Sequence, residues 1–196
     1  MQKQSKTYIK ILEAALPLFA AYGYKGVAMR DIANAVGITA AALYNHFPNK
    51  EQLHLKALEY AFSQKVGSLS RFLAKATTPE QRLRQFILFW VGSFGQDVIL
   101  RSLMQREMAD GDAVRIKVLV DRVFQPIFEE VSDLIEFAGK GMNAHLFFFS
   151  VIGLVMFHFE VSPLRKCLSN YQAEHEKADN ITQHIMGLLT NSIDFS

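Results

Sequence analysis

Cysteine is almost absent: Cys167 stands alone among 196 residues, so no intrachain disulfide can form and a disulfide-stapled secreted scaffold is excluded. Long apolar runs are missing too. The one candidate, Leu146 to Phe159, is about 14 residues and contains His158, whereas a membrane span needs about 20, so it reads as a buried helix. No apolar stretch with a cleavage site precedes the first charged residues; export and membrane insertion are not expected, and a reducing cytoplasm is. Catalytic signatures are equally scarce. The six histidines form no HExxH, Gly139-Lys140-Gly141 lacks the rest of a phosphate loop, and no GxSxG or Cys-His pattern occurs. His175 and Asp179 are four apart, yet two ligands do not make a catalytic metal site. Neither an enzyme nor a cofactor nor a metal is expected.

What is present is a chain 50% hydrophobic and 20% charged, a composition that excludes disorder and suits one domain or a small module joined to a larger one. The net charge of +2 is unevenly split. Within residues 1–50, Lys3, Lys6, Lys10, Lys25, Arg30 and Lys50 face only Glu13 and Asp31, which gives +4 and leaves −2 for the rest. A small basic module at the N-terminus points to a phosphate-rich partner.

Helical periodicity runs throughout and no segment reads as a strand. Thr7 to Tyr22 carries Ile11, Ala15, Leu18, Phe19 and Tyr22 on one stripe, interrupted by Pro17, which should bend it, and closed by Gly23. Met29 to Val36 and Ala40 to Phe47 are two short helices separated by Gly37-Ile38-Thr39, with Thr39 as the second one's N-cap. Two helices joined by a short glycine-containing turn are the helix-turn-helix signature. Asn49 to Gln52 is a capping box opening a fourth helix. Thr78-Pro79 opens another through Phe86, Trp90 and Phe94, followed by a shorter one over Asp97 to Ala109. Asp110-Gly111-Asp112 restarts a long helix, bent near Pro126 and ended by Gly139 and Gly141. Asn143 caps the apolar helix to Val161, and Asp179 caps the last, with Ile181, Ile185, Leu188, Leu189 and Ile193 as its stripe. The fold class expected is all-α, with a helix-turn-helix domain over residues 1–50 and a helical effector-binding and dimerisation domain over 51–196.

Ile11-Leu12-Glu13-Ala14-Ala15-Leu16, Leu18-Phe19, Tyr22-Gly23-Tyr24, Met29-Arg30-Asp31-Ile32-Ala33, Val36-Gly37-Ile38 and Leu43-Tyr44-Asn45-His46-Phe47-Pro48-Asn49-Lys50-Glu51 together resemble the N-terminal domain of the TetR family of bacterial repressors. The match covers the first quarter of the chain; the remainder is similar in helix number and order. The resemblance implies that Ala40 to His46 is a recognition helix in the major groove of double-stranded operator DNA. It makes Tyr44 and His46 phosphate contacts, puts Lys50 where the family touches the backbone, and places Arg30 on the supporting helix. Thr39 can serve a phosphate through hydroxyl and amide, and Asn45 can pair with adenine. Two departures stand out. Val27-Ala28 replaces the hydroxyl residues usual before the supporting helix, and Ala40-Ala41-Ala42 offers only methyl groups, so readout must lean on Thr39, Asn45, thymine contacts or DNA shape.

In the remainder, Phe86, Trp90, Phe94, Met104, Met108, Phe124, Phe128 and Phe147 either line an apolar pocket or form plain core, with Arg106, Glu107, His145 and His158 as possible polar anchors. The helix from Asn143 is apolar nearly all round, which implies a second covering surface. Paired with the last helix it would form a four-helix homodimer interface, also the family's arrangement, through Phe148, Ile152, Ile185, Leu188 and Leu189. The expectation is a transcriptional regulator, a repressor released from its operator by a small hydrophobic ligand. The rival is a helical carrier or adaptor for hydrophobic molecules without sequence-specific DNA binding.

Overall fold

Ser5 starts the first helix by accepting a hydrogen bond from the Tyr8 amide on its hydroxyl. The computed structural model describes residues 5–138 and 143–190, and every regular element among them is helical. The order is α1 (Lys6–Gly26), α2 (Met29–Val36), α3 (Ala40–His46), α4 (Lys50–Leu73), α5 (Pro79–Gln96), α6 (Val98–Asp110), α7 (Ala113–Leu119), α8 (Gln125–Ala138), α9 (Ala144–Glu160), α10 (Ser162–Cys167) and α11 (Ala178–Thr190). Gly139 and Gly141, expected to end α8, and Ile193, expected on the last stripe, lie outside the described residues.

Start signals in the sequence act as caps in the fold. Thr78 accepts from the Gln81 amide, Asp112 from the Arg115 amide and Asn143 from the Leu146 amide, each worth about 1 kcal/mol of helix stability. Asp179 does not cap α11: that helix begins one residue earlier, with the Ile181 amide on the Lys177 carbonyl, and the Asp179 carboxylate instead faces Arg84 at 3.3 Å. Pro17 sits inside α1 without driving its neighbours from helical torsions. The long helix expected through Pro126 is two helices joined by a π turn, Val120–Phe124. Proline at 126 has no amide for the Arg122 carbonyl, and the wider turn lies where that bond is lost.

The chain forms two compact units. One comprises Met1–Gln64 with Ile99–Phe124; the other comprises Lys65–Val98 with Gln125–Ser196. The unit that holds the helix-turn-helix therefore extends past residue 50 and takes in most of α6 and all of α7. Its buried side chains include Ile11 and Phe19 of α1, Ile32 of α2, Leu43 of α3, Leu53 and Phe62 of α4, and Leu103 of α6. In the second unit α5 packs against α8, α9 and α11 around Phe86, Trp90, Phe148, Val151 and Ile185.

Candidate nucleic-acid interface

Helix α3 is held from below and bare above. Leu43 and Phe47 are buried, Phe47 stacking on Tyr8 at 4.7 Å, while Ala41, Tyr44 and Asn45, spaced i, i+3, i+4, share an exposed stripe. Thr39 Oγ1 accepts from the Ala42 amide at 3.1 Å and fixes the start of the helix. Before it, Gly37 adopts φ 78°, a left-handed position suited to glycine, and amides 37 and 38 both bond the Ala33 carbonyl. Ala33 itself is buried, as a close helix crossing requires. The missing hydroxyl before α2 is offset from the other direction: Ala28 has no side chain to cap with, but its amide donates to Asp31 Oδ2 at 2.9 Å. Arg30 and Asn34 are exposed on α2, and His46 is half-buried at the end of α3.

Lys50 opens α4, as expected, and its side chain turns toward the end of α1. Its Nζ donates to the carbonyls of Tyr24 at 2.9 Å and Val27 at 3.0 Å and lies 4.4 Å from the Tyr24 ring centre. Two of its three N–H donors are thus spent on the α1–α2 connection, leaving at most one for a phosphate.

Behind this connection lies a polar cluster that periodicity could not reveal. Glu107 of α6 is buried, and its carboxylate accepts from Arg115 Nε at 2.8 Å and meets His54 Nε2 at 3.3 Å. Burial raises the Glu107 carboxyl, and Arg115 opposes the rise. Burial, with Arg115 and Lys50 nearby, pushes the His54 imidazole down to about 3, so it is neutral at pH 7 with Nε2 facing the Glu107 carboxylate. Arg115 also reaches Asp110 and Asp112 and stacks over Tyr24 at 4.8 Å. Arg106 donates to the carbonyls of Ala20 and Ala21. Neither Arg106 nor Glu107 is therefore free to anchor a ligand in the helical body.

A family profile described as "Bacterial regulatory proteins, tetR family" matches residues 11–57, the segment just built. Residues 11–57 form a DNA-binding domain of the TetR type. Over 62 residues it is 39% identical to the biofilm operon icaADBC negative transcriptional regulator IcaR of Staphylococcus epidermidis, covering 32% of this chain and 34% of that one. Two solved structures share the fold over nearly the full length. The transcriptional regulator FadR of Bacillus subtilis in complex with stearoyl-CoA gives a TM-score of 0.77 at 15% identity, covering 93% of this chain and 97% of that one. AibR in complex with isovaleryl coenzyme A and operator DNA gives 0.71 at 19% identity, covering 93% and 97%. The chain spans between 34% and 66% of the length of four curated regulators that it matches.

The residues expected to line one pocket are divided between the two units. Phe86, Trp90 and Phe94 on α5, Phe128 on α8, and Phe147 and His158 on α9 belong to the second unit; Met104, Met108 and Phe124 belong to the first. Met108 is 51% exposed, Met104 is buried, and Phe124 packs on Phe62 at 5.7 Å. Within the second unit the aromatics do meet, with Phe148 against Phe86 at 6.1 Å and Phe128 at 5.6 Å, and Trp90 stacked on Phe94 at 5.2 Å. Trp90 Nε1 and His158 Nε2 are buried there without hydrogen-bond partners.

The residues expected at an interface differ in burial within the chain. Phe148 and Ile185 are buried in their own chain, because α9 and α11 turn those faces toward α5. Leu188 is exposed, and Ile152 and Leu189 are half-buried. The outward face of α9 carries Leu146, Phe149, Gly153, Leu154 and Phe157, with Ser150 among them and with Phe149 57% and Phe157 62% exposed. No single helix among the described residues is long and apolar enough to cross a membrane.

Proposed function

We propose that this chain is a ligand-responsive transcriptional repressor that binds operator DNA as a homodimer. The observation that carries the reading is α3 itself, a short capped helix whose inner face is anchored by Leu43 and Phe47 and whose outer face presents Ala41, Tyr44 and Asn45. Such a helix can enter a major groove, where Asn45 would read a base and Tyr44, His46, Thr39, Ala40 and Arg30 would lie near it or near the backbone. IcaR is named a negative regulator, which supports repression, and curated relatives that are regulators support a role other than catalysis. Operator DNA places the working protein in the cytoplasm.

The effector is inferred to be a small molecule with a large apolar part. FadR and AibR hold acyl-thioesters, and the second unit offers Phe86, Trp90, Phe94, Phe128 and Phe147 with two unpartnered polar atoms, Trp90 Nε1 and His158 Nε2, that a ligand's polar group would satisfy. The stripe on α9, together with Leu188 on α11, supports a second copy as its cover, since five large apolar groups left in water would be an unusual surface for a monomer. Helix α4 begins in the first unit and ends in the second, which makes it a candidate carrier of the ligand signal.

Selection of bound sequences from a pool of random duplexes tests the reading. The expected result is enrichment of a two-fold site whose affinity falls steeply with salt. A chain that enriches no sequence yet binds apolar ligands saturably would be a helical carrier instead.

A further inference from the structure

Helix α1 breaks at Gly23, where φ 70° and ψ 173° leave the helical region. The carbonyls of a helix's final turn lack amide partners and concentrate partial negative charge. Arg106 of α6 lies against that end: its Nε donates to the Ala20 carbonyl at 2.6 Å and its Nη2 to the Ala21 carbonyl. A planar guanidinium serves two adjacent acceptors at once, and its charge has the sign a helix C-terminus attracts. Gly23 fits this arrangement, because a Cβ there would lie 3.3 Å from Arg106 Nη1.

The next residue sets where Arg106 can be. Glu107 is buried and tied to Arg115 and His54, so α6 is fixed in register by a charged residue in the interior of the unit. Across the connection, Lys50 holds the carbonyls of Tyr24 and Val27. Two cations, one from α4 and one from α6, thus hold four carbonyls around the single segment that leads into α2.

We propose that Arg106 is a positioning residue for DNA docking: it fixes the end of α1, and through it the entry to the helix-turn-helix, without touching DNA. Helix α6 is then a working part of the DNA-binding unit although it lies far outside the motif. The proposal rests on the DNA-binding reading above.

The test uses the full chain and the duplex selected from the random pool, with wild type, Arg106→Met and Arg106→Lys compared over a salt series. Arg106→Met weakens binding about tenfold, the scale of a lost charge-assisted hydrogen-bond pair, while the slope of log affinity against log salt stays unchanged because no phosphate contact is removed. Arg106→Lys, which keeps the charge but not the planar fork, recovers part of the loss. Both variants sediment as wild type, and amide exchange in Arg106→Met quickens around residues 24–28. A Met variant that binds like wild type overturns the proposal. So does a salt slope that falls by about one, which would make Arg106 a phosphate ligand. A loss that Lys does not recover and that tracks thermal stability overturns it as well, since Arg106 would then serve folding alone. Wild type that retains no duplex removes the DNA-binding reading itself and is seen before any variant is made.

Discussion

Glu107 and Arg115, eight residues apart in sequence, form a buried ion pair at 2.8 Å across the Asp110-Gly111-Asp112 turn between α6 and α7. Gly111 makes the turn possible with φ 63°, and Asp110 and Asp112 share the same guanidinium. Removing one member leaves the other charged in the interior. Arg115→Met is therefore expected to lower stability by about 3 to 5 kcal/mol, and Glu107→Gln by less, because Arg115 keeps two carboxylates. Urea unfolding measures both, and equal losses would mean that Asp110 and Asp112 contribute nothing.

The same cluster predicts acid sensitivity above the carboxylate range. His54 titrates at about 3 when folded and near 6.5 when unfolded, so below pH 6.5 the unfolded chain binds the extra proton. Stability falls as pH drops, by about 1.4 kcal/mol per unit from this group. His158, lowered by burial, adds to the slope; Glu107, raised by burial, opposes it. Arg115, Lys50 and Asp112 also act on the imidazole. Unfolding at pH 7 and pH 5.5 should show a loss that His54→Gln reduces; an undiminished loss in that variant would place its origin elsewhere.

On the recognition helix, Asn45→Ala is expected to relax base preference at one position of each half-site by about 1 to 3 kcal/mol, and Tyr44→Phe to weaken all sequences alike. Lys50→Met should weaken binding with little change of salt slope, since its ammonium serves Tyr24 and Val27. Binding to matched and mismatched duplexes over a salt series reads all three. If Asn45→Ala leaves preference intact while Thr39→Ala alters it, the reader is misassigned.

Phe148 and Phe149 are neighbours with opposite fates. Phe149→Asp places a charge on the exposed stripe of α9 and should give a folded monomer, whereas Phe148→Asp buries one against Phe86 and Phe128 and should unfold the second unit, each costing several kcal/mol. Sedimentation and circular dichroism separate the cases. Wild type that sediments as a monomer at micromolar concentration would remove the dimer.

Local chemistry made much of this fold legible beforehand. Thr39, Thr78, Asp112 and Asn143 cap because a short polar side chain before a helical run competes for the amides that follow it, whatever the tertiary surroundings. The helix-turn-helix was readable for the same reason: Gly37 and the alternation of buried Leu43 and Phe47 with exposed Tyr44 and Asn45 are properties of a short segment. Tertiary structure decided the rest. An α9 that is apolar all round carries no period to say which side faces inward, so only packing on α5 buried Phe148 and left Phe149 and Phe157 outside. Long cations are also ambiguous in sequence. A basic residue can reach for a phosphate, a ligand or a backbone carbonyl, and its type alone does not say which. Lys50 and Arg106 found their acceptors in the backbone carbonyls around a helix end that only tertiary contact brought within reach.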